Sequence, residues 1–146
     1  MYIISSCLLG NNCKYNGGNN LNEQVEKFCE DHSWFAVCPE TAGGLKAPRP
    51  PAEHCGGRIV DKEGKDLTEA FIKGARVSLE LAEAEARRRN ETIEGAILKA
   101  KSPSCGSGRI YDGTFSGQLV EGYGCFAELL REKEIKVLSE KEIMIW

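Results

Sequence analysis

Short apolar runs alternating with helical stripes constrain this chain more than any other feature. Met1–Ser6, Trp34–Val37, Glu94–Ala100 and Ile135–Leu138 are each bounded by turn formers, and they read as strands buried on both faces. Between the first two, Leu21, Val25, Phe28 and Cys29 recur at helical spacing and predict a helix over 21–31. Asp66 followed by Glu69 marks a second helix start. Leu67, Ala70, Phe71, Gly74, Ala75, Ser78, Leu81 and Ala82 trace its stripe toward Arg89 and Asn90. A third helix is expected from Tyr123 to Lys133, with Phe126, Leu129 and Leu130 inward, and Ser139 with Glu142 can cap a last turn. Such alternation implies right-handed βαβ units. The expected fold class is therefore α/β: a three-layer, Rossmann-like domain with a mainly parallel sheet and helices on both faces.

The 146 residues fit one domain, 1–146, without internal repeats. No stretch approaches the ~18 apolar residues of a membrane span. The opening Met1–Gly10 has no basic leader, and its apolar run is too brief for a signal peptide. A cytoplasmic location is expected. The net charge of −3 argues against an extended nucleic acid or an anionic membrane as partner. A small-molecule partner remains, since one pocket needs only local positive charge. Nothing in the patterning specifies an oligomeric state.

Seven cysteines are many for a reduced compartment, and their odd number leaves at least one without an internal partner. Metal binding or catalysis becomes the leading explanation for some of them. Cys29, on an apolar helix face, and Cys125, beside Phe126, read as packing residues. Cys55 follows His54 in the long segment 39–58, which Pro39, Pro48, Pro50 and Pro51 stiffen. The two adjacent residues chelate one ion poorly, so Cys55 reads as a loop residue. Arg58–Val60 reads as a short strand after it. Cys7 and Cys13 form a C-x5-C spacing without the paired knuckles of a structural zinc site, which leaves Cys13 behind the others as a ligand.

Cys7, Cys38 and Cys105 are different. Each sits just beyond a predicted strand, and in parallel α/β sheets ligands collect beyond the carboxyl ends of the strands. Three thiolates suit zinc or an iron–sulfur cluster, and three protein ligands leave one position open. Spacing alone does not separate the two metals.

The motifs add a resemblance. Ser6-Cys7-Leu8-Leu9-Gly10, Cys13-Lys14-Tyr15-Asn16-Gly17, Val37-Cys38-Pro39-Glu40, Gly43-Gly44-Leu45 and Pro48–Glu53 run through the first half. Asp66–Gly74, Lys101-Ser102-Pro103-Ser104-Cys105-Gly106 and Tyr111–Gly117 continue to the end. Together they resemble the thiouracil desulfidase family, formerly known only as a domain of unknown function. The resemblance implies a [4Fe–4S] cluster bound by Cys7, Cys38 and Cys105 alone, with one open iron for the substrate's sulfur. It also implies that Glu40 and Ser102 are catalytic and that the substrate is a thiolated pyrimidine.

The implied reaction is a non-redox exchange of a thiocarbonyl for a carbonyl with release of hydrosulfide, and Glu40 would take a proton from water. The competing reading is a zinc- or cluster-binding module that transfers metal or sulfur without catalysis of its own. On the residues alone, Glu40 also fits a helix-start carboxylate, and Ser102 and Ser104 fit turn residues. Arg49 fits either an anion contact or a strut to Glu53. The glycines and serines of Ser104–Gly108 lack the Gly-Lys-Ser/Thr of a P-loop.

Overall fold

The computed structural model describes residues 1–143, so the last three residues of the expected 1–146 domain lie outside the described residues. Its centre is a four-stranded parallel sheet of β1 (Tyr2–Ser5), β2 (Trp34–Val37), β5 (Gly95–Leu98) and β8 (Val137–Ser139) in the order β2-β1-β5-β8. The chain steps one way from β1 to β2, then back past β1 to β5 and on to β8. Right-handed crossovers put connections of opposite direction on opposite faces.

The packing follows that rule. On one face, Val25 of α1 (Glu23–Asp31) meets Ile4, Leu8 and Ile97. On the other face, α3 (Thr68–Arg89) and α4 (Cys125–Glu132) bury Ala75, Leu79, Ala82, Phe126 and Leu130 against Ile3, Ala96 and Leu98. Ile3 and Ile4 point to opposite faces, as successive strand residues must. Both are fully buried.

All three expected helices start later than their stripes suggest, α4 at Cys125 because Tyr123 still belongs to a strand. Asn22 caps α1, its Oδ1 accepting from the Gln24 and Val25 amides at 3.0 and 3.1 Å, so Leu21 falls before the helix and is exposed. Asp66 Oδ1 accepts from the Thr68 amide at 2.9 Å, at the first turn of α3. Along α3, Leu79 takes a buried place while Leu81 faces solvent. The buried Phe71, Ala75, Leu79, Ala82 and Ala86 follow the i, i+4, i+7 repeat more closely than a stripe through Leu81.

The segment expected as a long loop holds more structure. A short helix, α2 (Pro39–Ala42), follows β2, and β3 (Ala52–Cys55) pairs antiparallel with β4 (Arg58–Asp61). The two-residue connection Gly56-Gly57 has φ of +57° and +82°, the left-handed pair that tight hairpins need. A second hairpin, β6 (Ser107–Tyr111) with β7 (Leu119–Tyr123), occupies the turn-rich stretch after Cys105. Both hairpins stand at the carboxyl end of the parallel sheet, where they wall one cavity. Among the described residues, no helix is long and apolar enough to cross a membrane.

Candidate active site at the strand ends

The sheet order makes a switch point between β1 and β5, whose following connections leave for opposite faces. A cavity of about 490 Å3 opens there, a size that admits a small organic ligand. Cys7, Cys38 and Cys105 all line it, together with Glu40 and Ser102. Cys13, Arg49, Ser104, Tyr111 and Phe115 line it too.

Local folding accounts for each position. After β1 the chain turns into a 3-10 segment, Ser6–Leu9, and the half-buried Cys7 thiol receives the Asn20 side-chain amide at 3.4 Å. After β2, Pro39 starts α2, leaving Cys38 at its cap and Glu40 in its first turn. That helix crosses α3 almost backbone to backbone. A Cβ on Gly74 would lie 1.8 Å from the Pro39 carbonyl oxygen, and one on Gly43 would lie 2.1 Å from that of Ala70.

After β5, Ser102–Cys105 forms a tight turn docked on the start of α4. The Cys125 amide donates to the Pro103 carbonyl at 3.1 Å, and the Phe126 amide to that of Ser104 at 2.8 Å. His54 Nε2 lies 2.8 Å from the Pro103 carbonyl oxygen, which fixes that nitrogen as the protonated donor.

The thiols differ in electrostatic setting. Hydrogen bonds from the Cys13 thiol and the Thr41 hydroxyl, the latter at 3.2 Å, hold Cys38 well below the ordinary thiol range despite its burial. Cys13 is pushed up in turn by that shared hydrogen bond and by burial. Burial raises Cys7, only partly offset by Asn20. Burial also pushes Cys105 up to about 12, against hydrogen bonds from Ser5 and Ser104.

Glu40 is gripped at both oxygens. Arg49 Nη2 donates to its Oε1 at 2.8 Å, and the buried Ser104 hydroxyl donates to its Oε2 at 3.0 Å. Arg49 also donates to the Cys13 carbonyl at 3.0 Å and has a side chain only 10% exposed, so the ion pair is largely shielded from water. Ser102 Oγ accepts from the amides of Ser104 and Cys105, each at 3.1 Å, and lies 3.0 Å from Ser104 Oγ. With Ser104 donating to Glu40, the hydroxyls form a chain Ser102–Ser104–Glu40.

Sequence reasoning passed over Arg49 and Ser104. Arg49 pairs with Glu40, not Glu53, whose carboxylate instead accepts from the amides of Gly113 and Phe115 at 3.0 and 3.2 Å. Ser104 looked like a turn serine, and only the approach of α2 reveals its second partner. Cys29 and Cys125 pack against the cores, and the exposed Cys55 lies on β3.

Among the described residues, no three His, Cys, Asp or Glu side chains gather tightly enough for a single metal ion. One tetrahedral zinc holds sulfur ligands about 2.3 Å away, which brings them nearly into contact with one another. Cys7, Cys38 and Cys105, three thiols around one cavity with Cys38 held toward its thiolate, have the donor chemistry of a soft metal centre.

A family model described as 2-thiouracil desulfurase matches residues 2–142. An uncharacterized Bacillus subtilis protein, YbbK, is 40% identical, with 98% of this chain and 97% of that protein covered. The solved structure of the [4Fe-4S]-dependent thiouracil desulfidase TudS superposes with a TM-score of 0.86 at 41% identity, covering 98% of this chain and 92% of that one.

Proposed function

The chain belongs to the 2-thiouracil desulfurase family, and from that premise we propose that Cys7, Cys38 and Cys105 hold a [4Fe–4S] cluster with one open iron and that Glu40 is the catalytic base. The observation that carries the reading is the pairing of two features in one cavity. Three thiols arrive from three strand ends, and beside them stands a carboxylate fixed at both oxygens. The printed description of TudS as a [4Fe-4S]-dependent thiouracil desulfidase supports the choice of cofactor.

When bound, the cluster supplies a soft Lewis acid suited to polarising the C=S bond of a thiolated pyrimidine. The chain's own residues manage water and protons. Water adds to the thiocarbonyl carbon as Glu40 takes one of its protons. The adduct's remaining O–H proton passes to the sulfur, which leaves with the C–S electron pair as hydrosulfide, and the carbon keeps the oxygen as a carbonyl. No electron is gained or lost overall. Arg49 and Ser104 prevent Glu40 from turning away, and Ser102 extends the hydroxyl chain through which a proton can move.

Anaerobic reconstitution tests the reading. About four irons and acid-labile sulfide per chain are expected, with sulfide release from 2-thiouracil or 4-thiouracil. Cys105→Ala should lose the cluster. Stoichiometric zinc without labile sulfide would overturn the proposal.

A further inference from the structure

Building on that reading, we propose that Phe115 is the wall against which the substrate's pyrimidine ring packs, and that Glu53 is the positioning residue that holds it there. Phe115 sits at the tip of the β6–β7 hairpin with φ of +56°, a left-handed conformation unusual for a bulky side chain. Such backbone persists only where surrounding structure over-determines it.

Three independent contacts do so. Glu53 is buried, and its Oε1 accepts from the amides of both Gly113 and Phe115. Gly113, at φ +94°, packs so closely on the preceding hairpin that a Cβ would lie 2.6 Å from the His54 carbonyl oxygen. Within the tip, Asp112 Oδ1 accepts from the Thr114 amide and hydroxyl at 2.9 and 2.6 Å. The tip is thus built rigid, with the only large apolar side chain in Gly113–Gly117 lining the cavity.

The cavity otherwise has mixed character. Cysteines, Glu40 and serines occupy its chemical end, while Tyr15, Tyr111 and Phe115 supply its aromatic surface. A flat, weakly polar heterocycle gains by stacking on a ring, and such a contact commonly weakens binding severalfold or more when removed. Phe115 has no hydrogen-bonding group, so this contact reads ring shape and leaves the thiocarbonyl free for the cysteines' end.

The test titrates 2-thiouracil calorimetrically into anaerobically reconstituted wild type, Phe115→Ala, Phe115→Tyr, Glu53→Ala and Glu53→Gln, with turnover followed in parallel. Phe115→Ala is expected to raise Kd and KM about tenfold, with iron content unchanged and kcat within about threefold. Phe115→Tyr, which keeps the ring, should bind like wild type. Glu53→Ala should reproduce the KM increase, and Glu53→Gln, which keeps the acceptor oxygen, should restore wild-type KM. Unchanged Kd in a folded Phe115→Ala variant overturns the proposal, and so does a wild type that does not bind. Wild type that binds with the stated Kd pattern but releases no sulfide leaves Phe115 in its role and sinks the desulfidase reading instead.

Discussion

At the scale of single residues, the site is a division of labour between thiols of unequal character and one immobilised carboxylate. Glu40 can be replaced by a glutamine that keeps its shape and one acceptor oxygen, though not its negative charge beside the shielded Arg49. Its charge matters for accepting a proton. Glu40→Gln should therefore keep the iron content and lose about 10^2–10^4-fold in turnover, measured as sulfide released from 2-thiouracil. Full activity in that variant would remove Glu40 as the base.

The thiols give a second prediction. Cys38 is shifted toward its thiolate while Cys105 is pushed up to about 12. A thiol with a lowered pKa carries more of the nucleophilic form at neutral pH, and that fraction falls as pH drops through its pKa. In cluster-free protein near pH 7, limiting iodoacetamide should label Cys38 well before Cys105, read by peptide mass spectrometry. Labelling of Cys38 should slow as the pH is lowered, and faster labelling of Cys105 would contradict the assigned order.

At the scale of elements, close backbone contacts aim the catalytic loops. Gly74 and Gly43 let α2 lie on α3, and Gly124 does the same service for the turn around Cys105, where a Cβ would come within 2.4 Å of the Ser104 carbonyl carbon. Gly74→Ala is a good helix substitution in isolation, yet here its methyl meets the Pro39 carbonyl. The expected result is a loss of about 1–3 kcal/mol by urea unfolding, as overpacking commonly costs. Iron occupancy should fall with it, because α2 carries Cys38 and Glu40 outward together.

The elements also explain what the sequence made legible. The central strands β1 and β5 are buried apolar runs, and the edge strands β2 and β8 keep apolar runs too. β2, expected as buried on both faces, is half exposed with Trp34 at the surface. All four stood out, and with them the positions of Cys7, Cys38 and Cys105. Of the hairpin strands only β4 was expected, as Arg58–Val60; β3, β6 and β7 are short and partly exposed, as Val120 of β7 is, and carry no such run. Gly56-Gly57 was a usable turn signal for the first hairpin. Arg49 and Ser104 were not legible as partners of Glu40, because their meeting depends on how two loops and α2 converge after the sheet has formed.

At the scale of the whole molecule, Cys7, Cys38 and Cys105 stand on connections that leave the sheet in different directions and meet at one cavity. A group bound to all three should stabilise the native state, since it has no comparable site in the unfolded chain. Removing the cluster with a chelator under mild oxidation should lower Tm, by about 2–4 °C for each kcal/mol of linkage in a domain of this size. A Tm indifferent to iron content, measured by scanning calorimetry under argon, would mean that the centre does not brace the sheet.

The sheet order β2-β1-β5-β8 has a further consequence, for biogenesis. A paired-cysteine knuckle can capture metal on a nascent peptide, because its ligands are neighbours at high effective concentration. Here the third thiol, at Cys105, follows β5, and it reaches the others only once that strand has docked beside β1. With the proposed ligand set, cofactor insertion would follow closure of the topology, and an arrested or truncated product would present stray thiols but no loading site.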